Sequence, residues 1–183
     1  RKLLTELSAL DESGRITAEG RSLRALPLPP RLARMVVDAA RAGEGERAAQ
    51  IAVLVTERGL GGNDVDLSHR LDQFRRDRSR RAEEARGMAR RWANEAGDKT
   101  SAGETSVGAL LALAYPDRVA KSRGGGQGGF LLANGRGAML DPAFAGFPRR
   151  RKVQFAAALG MTQYSDDLDR LMQTIFPAET FPN

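Results

Sequence analysis

Gly14 to Met35 reads GRITAEGRSLRALPLPPRLARM, and its punctuation decides what kind of fold surrounds it. The residues just before it, Asp11-Glu12-Ser13, form a turn with Gly14, because Asp and Ser side chains bond to nearby backbone and glycine accepts a positive φ. Arg15-Ile16-Thr17 follows as a short extended piece. Thr17 is placed to cap a helix running to Leu26, with Glu19 in its first turn, where a carboxylate complements the helix dipole. Leu26 to Pro30, LPLPP, cannot be helix interior, since each proline removes a donor and restricts the residue before it. It reads as a stiff connection, after which Pro30 opens the next helix at its first position.

Working outward, RKLLTELSAL has helical spacing at Leu3, Leu4, Leu7 and Leu10 and should stop near Leu10. A chain that opens on Arg1 inside such a pattern reads as part of something longer. Downstream, Leu32, Met35, Val36 and Ala39/Ala40 repeat at helical steps until Gly43, and Ala48, Ile51, Ala52, Leu54 and Val55 until Gly59, which together make a helical hairpin with a small-residue seam. Leu67, Leu71, Phe74, Ala82, Ala85, Met88, Ala89 and Trp92 keep the helical period, as one long helix or as two with a break near Arg78-Ser79. Between Asp64 and Glu95 nine arginines meet seven acids, which reads as a solvated face laced by i,i+4 pairs. AGDKTSAGETS is poor in apolar residues and reads as a linker, placing a boundary near residue 100. A short apolar helix over Gly108–Ala114 follows, with Thr105 or Ser106 as its cap.

From Tyr115 the pattern changes to short strand-like runs, Arg118-Val119-Ala120 and Phe130-Leu131-Leu132, with NGRG as a tight turn before Ala138-Met139-Leu140. That is a small antiparallel unit of three strands at most. Beyond it, Val153, Phe155, Ala156 and Leu159, then Leu168, Leu171, Met172 and Ile175, read as two amphipathic helices.

The 183 residues suffice for one large domain or two small ones. With 41% hydrophobic and 28% charged residues the composition is globular, and no run approaches the ~18 apolar residues of a membrane helix. No membrane partner is expected. Cysteine is absent, so there is no disulfide framework or thiolate metal site, and a reducing cytoplasm is the expected location. Charge is unevenly spread. Tyr115 to Lys152 holds eight basic residues (Arg118, Lys121, Arg123, Arg136, Arg149, Arg150, Arg151 and Lys152) against Asp117 and Asp141, an excess equal to the whole chain's +6. A polyanion should be drawn to this segment.

The glycines of that segment invite a nucleotide-loop reading, which fails. A P-loop needs Lys-[Ser/Thr] after its last glycine and a helix behind it, whereas Gly129 is followed by Phe-Leu-Leu. A dinucleotide fingerprint on Gly124, Gly126 and Gly129 needs that helix too. His69, the sole histidine, has no catalytic company, and Asp166, Asp167 and Asp169 cluster without histidine or cysteine. The chain by itself is not expected to be an enzyme, and neither a metal site nor a cofactor is expected in it.

GRITAEGRSLRALPLPPRLARM resembles the segment that follows the motor core of DEAH-type helicases, where the end of a winged helix runs through T-x-x-G and LPL-x-PRLA into a helical bundle. Gly14, Thr17, Gly20, Leu26, Pro27, Leu28, Pro30, Arg31, Leu32 and Ala33 stand in the family's order. ALAYPDRVAKSRGGGQGGFLLANGRGA, Ala112 to Ala138, is similar to the next segment of the bacterial HrpB branch of that family. The resemblance covers about residues 1–145 and implies a mainly α fold with a small β part. Residues 1–30 would be a winged-helix end and connector, 31–100 a ratchet-like helical bundle, 101–145 a helix and partial OB-like strands, and 146–183 a helical tail unlike the family.

The resemblance also implies a longer parent whose motor core binds ATP and magnesium and moves on single-stranded nucleic acid, usually RNA. Neither a nucleotide loop nor a DEAH box is in this chain. The expected partners are single-stranded nucleic acid and the motor core of the same polypeptide. The candidate contacts are Arg118, Lys121, Arg123, Arg136, Arg149, Arg150 and Arg151 for phosphates, with Phe130 or Tyr115 for stacking. Core packing is the competing reading for both aromatics, and Arg31 could equally hold an interdomain carboxylate. Two other readings remain open: a protein–protein interaction module bracing the core, and a stand-alone basic DNA-binding protein.

Overall fold

The computed structural model describes residues 1–64, 66–98, 105–122, 129–139, 153–157 and 160–162. The chain divides into two compact units, Arg1–Asp64 with Ser68–Thr105, and Val65–Leu67 with Ser106–Asn183.

The first unit is helical. Helix α1 spans Lys2–Glu6, ending a turn earlier than its leucine spacing suggests. A bridge between Leu10 and Ile16 closes the Asp11–Gly14 turn, with Gly14 at φ +85°. The Asp11 carboxylate accepts from the Ser13 hydroxyl at 2.6 Å and the Arg15 amide at 2.9 Å, which holds its pKa below the ordinary 3.8. Helix α2, Ala18–Ala25, is capped by Thr17, whose hydroxyl accepts from the Gly20 amide at 2.9 Å and donates to the Ser8 carbonyl at 2.6 Å. Gly20 is there because a Cβ would lie 2.1 Å from the Ala9 carbonyl oxygen. The helix can cross the preceding turn only without a side chain.

Helix α3, Pro30–Arg41, begins at the proline as its fixed φ favours. Helix α4 spans Gly45–Thr56, α5 Leu67–Arg76 and α6 Arg80–Glu95, the break after α5 being made by Ser79, which caps α6. Helix α4 packs on both α3 and α6. Met35, Val36, Ile51, Leu54, Leu71 and Phe74 are fully buried, interleaved with Ala33, Ala48, Ala52, Ala82 and Ala89. Each large side chain removed from water contributes about 1.5–3 kcal/mol, and the alanines let the helices approach closely.

Glu19, Arg34, Asp38 and Arg41 tie α2 to α3. Arg34 Nε lies 2.6 Å from Asp38 and its Nη1 3.4 Å from Glu19, while Arg41 reaches Glu19 at 2.6 Å and Asp38 at 2.9 Å. Arg34 also donates to the Leu7 carbonyl at 3.1 Å. The Glu19 hydrogen bond holds the Arg41 guanidinium above its ordinary pKa.

The second unit starts with α7, Val107–Ala114, capped by Ser106, whose hydroxyl accepts from the Ala109 amide at 3.2 Å. This helix is apolar all round and correspondingly buried. A short 3₁₀ turn, Pro116–Arg118, leads into strands β1 (Val119–Ser122), β2 (Gly129–Leu132), β3 (Gly137–Met139), β4 (Val153–Ala157) and β5 (Gly160–Thr162). They form one antiparallel sheet in the order β3-β2-β1-β4-β5. Three strands in meander followed by a fourth that returns beside the first is Greek-key order.

The expectation of a helical tail over 146–183, and of three strands at most, is corrected here. Val153–Ala157 is a strand, paired with β1 through Val119↔Phe155 and Lys121↔Val153, and β5 pairs back on it. Val153 and Phe155 stand two apart, which fits a strand as well as the apolar run fits a helix, and a run this short is ambiguous from periodicity. Pairing decides it, because β4 satisfies the second row of backbone groups on β1 that a three-stranded sheet would leave open. The second expected helix, with Leu168, Leu171, Met172 and Ile175, lies outside the described residues.

Candidate nucleic-acid interface

The Tyr-Pro-Asp-Arg turn builds the first half of the site. Pro116 starts the 3₁₀ turn, the Arg118 amide donates to the Tyr115 carbonyl at 3.0 Å, and the Arg118 guanidinium is thereby folded over the Tyr115 ring, 5.0 Å from its centroid. A cation held on an aromatic face at this distance contributes about 0.5–1 kcal/mol when exposed and pre-orients the guanidinium. Both residues are half-buried.

The second half is the β2–β3 hairpin. Gly135, at φ +79°, donates to the Leu132 carbonyl at 2.9 Å, the Arg136 amide donates to Asn134 Oδ1 at 3.1 Å, and the Leu132 amide donates to the Arg136 carbonyl at 2.8 Å. Asn-Gly is what this turn requires, and it leaves Arg136 fully on the surface. The Ala133 amide donates to the Val119 carbonyl at 2.7 Å, so the hairpin turn lies against the start of β1, next to Arg118. Tyr115, Arg118, Asn134 and Arg136 therefore share one end of the sheet. The acid in the sequence between Tyr115 and Leu140 is Asp117 alone.

Other candidates fall elsewhere. Lys121 is central in β1, in register with Leu131 on one side and Val153 on the other. Phe130 is 5% exposed and takes the core reading, because a ring so enclosed offers no face to a base. Its neighbour Leu131 is 41% exposed instead. Arg123, Arg149, Arg150 and Arg151 lie outside the described residues. Among the described residues no group of three or more His, Cys, Asp or Glu could hold a metal ion.

Sequence reasoning did not anticipate what the bundle does with its arginines. The Arg80–Glu84 pair at 2.8 Å is of the expected i,i+4 kind. Three others instead close backbone carbonyls: Arg70 those of Leu54 and Leu60 at 3.0 and 3.1 Å, Arg81 that of Arg58 at 2.6 Å, and Arg86 that of Phe74 at 2.6 Å. Carbonyls left over at helix ends and in loops are the signal that could have pointed to them. Burial, and then repulsion from Arg47, push the Arg75 guanidinium below its ordinary pKa while its Nε donates to Gln50 at 2.8 Å. Much of the bundle's positive charge is thus committed to its own structure, whereas Arg136 is exposed.

Comparison with known proteins places the chain. Residues 1–28 match the winged-helix helicase-associated domain (HA2) family. The ATP-dependent RNA helicase HrpB of Escherichia coli is 35% identical over 142 residues, 77% of this chain and 16% of that protein. Two crystal structures agree: an E. coli DExH-box NTPase HrpB (TM-score 0.71, 28% identity, 94% of this chain, 21% of that one) and an E. coli DEAH/RHA helicase HrpB (TM-score 0.67, 30% identity, 90% and 21%). This chain is an HrpB-like helicase-associated region. It spans less than a fifth of the length of the curated HrpB that it matches. A separate match of a different kind, 63% identical over 46 residues, is to a 2,3-bisphosphoglycerate-independent phosphoglycerate mutase of Rhodopseudomonas palustris, covering 25% of this chain and 9% of that protein. Those shares are too small to carry an activity across. Among the described residues no helix is long and apolar enough to cross a membrane.

Proposed function

We propose that this HrpB-like region is an accessory module that guides single-stranded nucleic acid, RNA in the first instance, and braces the motor core of an ATP-dependent helicase. The carrying observation is the convergence of Arg118, folded on Tyr115, with the Arg136 turn at one end of a Greek-key sheet. Five antiparallel strands in this order are compatible with an OB-like unit, a scaffold that tracks a backbone with cations and stacks bases on aromatics. Arg118 and Arg136 would contact phosphates, the Tyr115 ring would stack on a base, and Lys121 would extend the track along β1. The arginines of 149–151 and Arg123 add to the same attraction. ATP and magnesium would belong to the motor core of the parent, which would work in the cytoplasm. The bundle, with Arg70, Arg81 and Arg86 turned onto its own carbonyls, would be the brace.

The test is fluorescence anisotropy with single-stranded RNA, single-stranded DNA and duplex at two salt concentrations. Saturable binding to single strands that weakens with salt, and is lost in Arg118→Ala/Lys121→Ala/Arg136→Ala, supports the proposal. Each phosphate contact removed should flatten the log–log salt slope by about 0.7. Binding unchanged in the triple variant sinks it, and the protein–protein reading then takes its place.

A further inference from the structure

Two acidic residues of the bundle, one buried and one half-buried, have no part in that reading. Glu44 is 5% exposed and sits between α3 and α4; Asp98 follows α6. Both positions are fixed by the same device. After α3, Gly43 turns at φ +77° and the Glu44 amide donates to the Ala39 carbonyl at 2.8 Å. After α6, Gly97 turns at φ +85° and the Asp98 amide donates to the Ala93 carbonyl at 3.0 Å. Each is a left-handed glycine cap followed by a back-bonded residue, so each acidic side chain leaves its helix in a set direction.

Both side chains then fasten chain ends. Helix α4 has no cap from its own N-terminal side chain; Asp98 Oδ2 supplies one from 52 residues away, accepting from the Glu46 amide at 2.9 Å. A carboxylate there satisfies an orphan amide and faces the positive end of the helix dipole. Gly45 makes room for it, since a Cβ would stand 2.7 Å from Asp98 Oδ2. Glu44 Oε1, in turn, accepts from the Thr105 amide at 2.9 Å. Thr105 directly precedes Ser106, the cap of α7. The residues that flank segment 99–104 are therefore both held at the N-terminus of α4. Asp98 Oδ1 is buried without a hydrogen-bond partner among the described residues, which makes the clasp a natural place for local opening.

We infer that Glu44 and Asp98 form a clasp on the α4 N-terminus that fastens the two residues flanking segment 99–104, Asp98 and Thr105. Composition alone reads this stretch as a free linker. The clasp fixes the residues on either side of it, Asp98 and Thr105, and its two bonds open by local rather than global unfolding.

The experiment uses the full chain. Amide exchange followed by NMR reads the Thr105 and Glu46 amides, and limited trypsin digestion reads cleavage after Lys99. Glu44→Ala should speed Thr105 exchange about tenfold, and Asp98→Ala should do the same for Glu46, as loss of a hydrogen bond to a charged acceptor implies. Either should raise the rate of cleavage after Lys99, while Glu44→Gln, which keeps an acceptor, should stay near the parent. Equal acceleration at the core amides of Val36 and Ile51 would mean general destabilisation and overturn the inference, as would no acceleration at all. Should the alanine variants fail to fold, the unmodified chain still decides: Thr105 and Glu46 amides that exchange without protection refute the clasp. None of these readouts involves nucleic acid, so the clasp and the guiding function stand or fall separately.

Discussion

Gly20→Ala tests the reasoning that connects the sequence motif to the fold. Alanine in place of glycine inside a helix ordinarily stabilises by about 1 kcal/mol. Here the new Cβ would lie 2.1 Å from the Ala9 carbonyl oxygen and 2.9 Å from the Ile16 side chain, where ordinary contact begins at 3.4 Å. Either α2 or the Ala9 carbonyl must move by about 1 Å, and that carbonyl accepts the Thr17 amide at 3.1 Å. Overpacking of this kind costs about 1–3 kcal/mol and a lost backbone hydrogen bond about 1 more. After the propensity gain the net is a destabilisation of about 2 kcal/mol, or roughly 4–8 °C in Tm for a chain of this size. Gly87→Ala is the matched control: it sits inside α6, and its nearest neighbour would be the Arg91 guanidinium at 3.7 Å. It should stabilise by up to about 1 kcal/mol. Urea denaturation of the two variants should give opposite signs, and a Gly20→Ala protein as stable as the parent would refute the close-approach account.

Arg34→Met should cost about 1–3 kcal/mol in the same assay, since its guanidinium joins Glu19, Asp38 and the Leu7 carbonyl and its side chain is 26% exposed; a loss below about 0.5 kcal/mol would show that Arg41 alone holds α2 on α3. Asp77 accepts the Ser79 amide at 2.8 Å, and its hydrogen bonds with the Ser79 backbone and side chain depress its carboxyl below the ordinary 3.8. Because the folded value is lowered, the contribution of Asp77 is fully present above pH 3.8 and disappears as pH falls through the folded pKa. An NMR titration of the Asp77 carboxyl should give a midpoint under 3.8, and one at or above it contradicts the Asp77–Ser79 hydrogen bonds.

The helical half of this molecule was open to reading because its signals are local. Thr17, Pro30 and Ser79 mark helix starts by their own chemistry, and Gly43 and Gly59 follow helix ends. The strands from Val119 to Met139 were readable for the same reason, with Asn134-Gly135 specifying the hairpin. What could not be read depends on distant partners. Val153–Ala157 becomes a strand through pairing with β1, and Asp98 caps α4 across 52 residues. At the candidate site, the charge excess singled out a segment, but not which of its residues share an end of the sheet. That followed from one hydrogen bond, Ala133 to Val119, and from the turn that lays Arg118 on Tyr115. Phe130 illustrates the opposite error of reading an aromatic beside basic residues as a stacking face when its strand position buries it.

Photo-crosslinking tests the central claim most directly. An RNA single strand carrying 4-thiouridine would be irradiated with the chain and the adducts mapped by mass spectrometry. The account predicts adducts on the peptides holding Tyr115–Arg118 and Asn134–Arg136, which fade in Arg118→Ala/Arg136→Ala. Adducts confined to α3–α6, or undiminished in the double variant, would contradict it.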